Sequence, residues 1–134
     1  MKLSTELINP SELAPPIGFA HAVIGKGRAV PLAGQVGCDG DGKIVAPGDL
    51  VAQFGLAVRN LLIALRAAGG EPTDLAFLRI YTTEVATYRA RVRELGVAYR
   101  EQFGKHFPAM ALLGVQELFD PEALVEIEGL AYVD

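Results

Sequence analysis

No stretch restricts the fold as much as DLVAQFGLAVRNLLIALRAAGG, which runs from Asp49 to Gly70. Leu50, Phe54, Ala57, Leu61, Leu65 and Ala68 recur at helical spacing and fall on one side of a helix. Asp49 suits the N-cap, because a carboxylate accepts from the free amides of the first turn. Gly69-Gly70 end the helix by allowing the chain to leave it. A helix with one apolar stripe must lay that stripe on another layer, and the rest of this chain offers mainly strands.

Three groups of β-formers supply them. FAHAVIGKG and RAVPLAGQVG are short runs interrupted at Gly25-Lys26-Gly27, a spacing that predicts a hairpin. LAFLRIYTT reads as a third strand. The runs PAMALLGV and ALVEIEGLAYV close the chain as a strand pair about a turn at Phe119-Asp120-Pro121. A second helix is expected over roughly Thr87 to Gly104. Val92, Leu95, Tyr99 and Phe103 form its buried stripe, with arginines on the other side. INPSELAPPIG reads as an extended arm and CDGDGK as a turn, since its spacing does not match a calcium loop. The predicted order is β-β-α-β-α-β-β, an α+β sheet with two helices on one face. The other face then needs a cover, which points to an oligomer.

The chain has 134 residues, enough for one domain over 1–134. Its net charge of −4 argues against non-specific nucleic-acid binding, which depends on Lys and Arg at phosphates. Cys38 is the single cysteine, so there is no disulfide framework, and a reducing cytoplasm is expected. No apolar stretch is taken to reach the length of a membrane span, and no membrane partner is expected.

INPSELAPPIGFAHAV, VPLAGQVGCDGDGKIV, AQFGLAVRNLLIALRAAGGEPTDL and the closing PAMALLGV…VEIEGLA resemble, in this order, the YjgF/RidA family of reactive-intermediate deaminases, also called L-PSP endoribonucleases. The resemblance covers nearly the whole chain. It implies a chorismate-mutase-like fold and a homotrimer with three small-molecule clefts between subunits. It also implies hydrolysis of 2-imino or 2-enamino acids to 2-oxo acids and ammonia. No cofactor motif is present, and that chemistry requires none.

Carried over residue by residue, the resemblance gives Glu126 of VEIE the role of positioning or activating water. AGQ keeps Gly34 and Gln35 at the substrate. Where the family has a PARS-like motif this chain has PAMA, so Met110 replaces the arginine that grips the substrate carboxylate. Ala111 follows it, and Leu112 stands in place of a small or nucleophilic residue. Where the family has GPYS the chain has IGFA, so Phe19 replaces a tyrosine and removes its hydroxyl. These changes run from polar to apolar, and Glu126 is expected to face Met110 without a cation between them. Methionine has no donor to replace a bidentate guanidinium, so common 2-imino acids should bind poorly.

His21, His106 and Cys38 carry weaker signals. The histidines are far apart, with no carboxylate pattern around them, and no metal site is expected. Cys38 has no adjacent base. Three functional readings stand: a hydrolase of small imines, enamines or related C–N compounds other than the usual 2-imino acids; a non-catalytic small-molecule-binding trimer; and an endoribonuclease. Intact Glu126 favours the first. The apolar replacements suit the second, and the acidic balance opposes the third.

Overall fold

Leu50–Ala67 form helix α1, which opens as expected: the Asp49 carboxylate accepts from the Ala52 amide at 3.1 Å. Gly69 closes it with φ +88°. The computed structural model describes residues 3–134. Leu50, Phe54, Ala57, Leu61 and Leu65 are buried; Ala68, at the cap, is exposed. By length and composition α1 could cross a membrane, which the sequence reading did not allow for. Its apolar stripe packs on a sheet instead.

The strands are β1 (Thr5–Ile8), β2 (Ala22–Gly25), β3 (Arg28–Gln35), β4 (Leu75–Thr82), β5 (Ala109–Gly114) and β6 (Val125–Val133). β3-β6-β4-β5 form a mixed sheet, and β1-β2 a separate antiparallel ribbon. Two expected pairings are corrected here. β2 and β3 do not form a hairpin: β2 pairs with β1, while β3 pairs with β6. Gly27, at φ +114°, redirects the chain so closely past β6 that a Cβ there would lie 2.3 Å from the Val133 carbonyl.

The closing strands are not neighbours either, because β4 lies between them. β5 pairs with β4 in parallel, as a strand reached through a helical crossover does. The connection 115–124 then rounds the end of β4, where Val115 donates to the Thr82 carbonyl at 2.9 Å and Thr83 to the Leu124 carbonyl at 3.2 Å. β6 enters antiparallel between β3 and β4.

The second helix is broken. α2 (Val85–Ala90) and α3 (Val92–Phe103) meet at Arg91, whose backbone leaves the helical region at φ −110°, ψ 20°. The break turns Tyr88 edge-on to Phe54 of α1, 6.1 Å between ring centroids. Leu95, Tyr99 and Phe103 are buried as expected, whereas Val92 is 57% exposed.

Burial alternates along β4 and β6, which separates the two sheet faces. Leu78, Ile80, Val125, Ile127 and Ala131 join the helices in the core. Phe77, Arg79, Tyr81, Glu126, Glu128 and Leu130 lie half-buried on the opposite face. The expected two-layer α+β arrangement with one helix-free sheet face is present.

Gln53 is a large polar side chain inside the core. Fully buried, it donates to the carbonyls of Ala46 (3.2 Å) and Glu122 (3.1 Å) and accepts from the Leu124 amide at 2.8 Å. One side chain thus fixes both the loop entering α1 and the loop entering β6. Gln53→Ala leaves the Glu122 carbonyl and the Leu124 amide without their partner, while Ala46 still accepts from the Asp49 amide, and should destabilise the fold by about 2–4 kcal/mol. The shift of the urea midpoint at constant slope measures this.

Candidate functional site

The sequence-predicted residues divide between the two sides of the sheet. On the helix side, β5 turns Met110 and Leu112 toward α3, in register with Leu78 and Ile80 of β4. The segment before β2 comes alongside: Ala20 bridges to Ala109 and its amide donates to the Pro108 carbonyl at 3.0 Å. This brings Phe19 to β5. Phe19, Met110, Ala111 and Leu112 together border a cavity of about 560 Å³, closed from the helix side by Tyr88, Tyr99 and Arg100.

Glu126 and Gly34 meet on the other side. A regular strand would turn Gly34 to the same face as Leu32, but β3 has a bulge between Leu32 and Gln35. The extra residue turns Gly34 toward Glu126 and Gln35 toward the helices. A Cβ on Gly34 would sit 2.2 Å from Glu126 Oε2, so the carboxylate occupies the space that glycine leaves. Gln35 borders a separate hollow beside Cys38 and Asn60.

Within one chain Glu126 and Met110 do not face each other. Glu126 is opposite Tyr81 and Met110 is opposite Leu78, with β4 between them and their side chains on opposite faces. A polar network that the motifs did not indicate adjoins Glu126. Glu128 accepts from Arg79 at 3.3 Å and from the Tyr81 hydroxyl, and the Arg79 guanidinium lies 5.0 Å from the Phe77 ring centroid. Hydrogen bonding to Tyr81 and Glu128 raises the Arg79 pKa further, so this cation is held at the open face, away from Met110.

Both histidine rings have local partners: His21 Nε2 with the Ala14 carbonyl at 2.8 Å, and His106 Nε2 with the Leu75 carbonyl at 2.8 Å. His21 also packs edge-on against Phe19 at 5.2 Å. Cys38 is half-buried, its nearest polar partner the Asn60 amide nitrogen at 3.9 Å from Sγ. The CDGDGK stretch closes as a turn, in which Asp39 accepts from the Asp41 and Lys43 amides at 2.9 and 3.0 Å. Those two bonds lower its pKa.

Sequence reasoning missed Tyr88 as a wall of the cavity; Arg100 was one of several arginines that could replace the missing cation, with a solvated helix face as the alternative. The signal for Tyr88 was its spacing, one helical turn before Val92.

Residues 10–133 match the family model for endoribonuclease L-PSP. A 3-aminoacrylate deaminase, RutC, of Acinetobacter baylyi is 29% identical over 128 residues, covering 96% of this chain and 98% of the relative. A RutC family protein of Pyrococcus abyssi is 27% identical over 130 residues, covering 97% and 98%. Among solved structures, the Rid-family protein YyfB of Yersinia pestis, a protein of unknown function, superposes with a TM-score of 0.88. It is 35% identical, with coverage of 98% of this chain and 100% of that one. The chain belongs to the endoribonuclease L-PSP family, the YjgF/RidA group that its motifs resemble.

Proposed function

We propose that this chain is a deaminase-type hydrolase of small imines, enamines or related C–N compounds with an apolar body, acting as a cytoplasmic homotrimer. The observation that carries this reading is the division of the site. Glu126 lies against Gly34 on a helix-free face, while Phe19 and Met110 border an apolar cavity on the other. One chain cannot bring these together, but a neighbour packed on the open face can. Closed rings of this kind arise when two different patches of the same chain meet. The Acinetobacter relative's deaminase activity supports the chemical class.

In the proposed step, Glu126 accepts a proton as water adds to the C=N carbon. The proton passes to nitrogen to give a carbinolamine, whose hydroxyl then gives up its own proton to the nitrogen through Glu126 as the C–N bond breaks, so that a carbonyl compound and ammonia leave. The cavity holds the apolar body. Phe19, Ala111 and Leu112 shape it, Gly34 keeps the carboxylate accessible, and Gln35 supports the bulge that sets Gly34.

A non-catalytic binding trimer is the second reading, favoured by the apolar cavity itself. The endoribonuclease reading has less support, because both histidine rings already have backbone partners and the net charge of −4 opposes phosphate binding.

Ammonia release separates these readings. The native protein should accelerate hydrolysis of an uncharged apolar enamine well above the buffer rate, while leaving 2-iminopropanoate near it. Rapid turnover of 2-iminopropanoate, or none of either compound, would overturn the proposal.

A further inference from the structure

The geometry points to Arg100 as the anion-binding residue of the apolar cavity, and to an apolar, ring-sized molecule carrying one carboxylate as its ligand. The inference shares its cavity with the proposed function but concerns binding alone.

The argument begins with charge pairing. Arg66, Arg79 and Arg91 have carboxylate partners in Glu71, Glu128 and Glu94. Arg100 makes no ion pair among the described residues, yet it borders the cavity. Gly96, one turn earlier inside α3, gives the exposed Arg100 side chain room, although glycine ordinarily weakens a helix. A Cβ on Gly96 would lie 3.2 Å from Arg100 Nη1, so the missing side chain leaves the guanidinium room to lie back along its own helix.

Tyr88 supplies a second free donor. Its hydroxyl makes no hydrogen bond to the protein among the described residues, and the residue borders the same cavity. Burial pushes its pKa up to about 12, so it remains a neutral phenol and a donor at physiological pH. The neighbouring Tyr99 hydroxyl is already committed, donating to the His106 carbonyl at 2.6 Å.

The other walls are apolar, with Ile17, Phe19, Phe107 and Met110 among them. About 560 Å³ accommodates a substituted ring. A single guanidinium and phenol in such walls select an amphiphilic anion. Because Arg100 stands on the helix wall, an anion it holds lies away from β5, where Met110 has replaced the family's arginine.

Calorimetric titration with 3-phenylpropanoate and 3-phenylpropanamide at low salt tests this on the intact protein. The native chain should bind the acid at least about tenfold more tightly than the amide, the increment of a charge-assisted hydrogen bond. Arg100→Met should abolish the preference while leaving amide binding unchanged, Arg100→Lys should retain part of it, and Tyr88→Phe should weaken the acid selectively. Equal binding of acid and amide, a preference that survives Arg100→Met, or binding of neither would overturn the assignment. Acid binding by a protein that releases no ammonia from any imine would uphold Arg100 and sink the hydrolase reading instead.

Discussion

Met110→Arg should raise ammonia release from 2-iminopropanoate by about a hundredfold or more, since truncating one partner of a buried charge pair costs about 2–5 kcal/mol. The effect follows from the position of Met110 on β5. It is half-buried, turned to the cavity and in register with Leu78, so a guanidinium introduced there emerges from the strand that resembles the family's PARS segment. The cavity has space for the longer side chain. A methionine thioether contributes contact area but no donor, and Arg100 and Tyr88 stand on the helix wall, so a carboxylate held at β5 would lose its water without compensation there. The gain should appear mainly as a lower KM with some rise in kcat, because the new contact is made in ground and transition states alike. An active native chain would show instead that another cation already grips the carboxylate, and the argument from Met110 would fail.

Adding Glu126→Gln to that variant should reverse the gain by about 10²–10⁴-fold, the usual contribution of a positioned general base. Glutamine keeps the shape that fills the space above Gly34, so the bulge and the β3–β6 register should survive. What it loses is the ability to accept a proton from water. The loss should fall on kcat with KM little changed, and the thermal midpoint should stay close to that of the single variant. Activity retained in the double variant would assign the water-activating role elsewhere, with Glu128 in the Arg79–Tyr81 network the next carboxylate on that face.

The layers of the fold were legible because they depend on periodicity. Leu50, Phe54, Leu61 and Leu65 repeat at helical spacing and are buried, and Asp49 and Gly69 act as the cap and stop that their chemistry suggested. Pairing was not legible. Consecutive strands usually adjoin, but the loop 115–124 is long enough to cross the end of β4, and no local signal distinguishes a crossing loop from a turn. The break at Arg91 has the same status: its residues are all acceptable in a helix, and the turn becomes visible only where Tyr88 meets Phe54.

The site was partly legible for a related reason. Motif residues carry the proposed chemistry, and Phe19, Met110, Ala111 and Leu112 gather at one cavity. Their relation to Glu126 depended on strand order and on the β3 bulge, both set by tertiary pairing. Alternation alone would have put Gly34 on the wrong face. Arg100 shows the limit from the other side, since helix spacing places it among solvated arginines and only the tertiary packing sets a cavity beside it.

The central claim is that Glu126 of one subunit works with the cavity of its neighbour, and one mixing experiment addresses it directly. Chains carrying both Met110→Arg and Glu126→Gln, assembled one to one with native chains, combine two parents that are each inactive on 2-iminopropanoate. Random assembly into closed rings would give about a quarter of the clefts both the introduced guanidinium and an intact Glu126. The account predicts ammonia release near a quarter of that shown by Met110→Arg alone. Release no greater than that of the two parents measured separately would contradict it, because both groups would then have to come from the same chain.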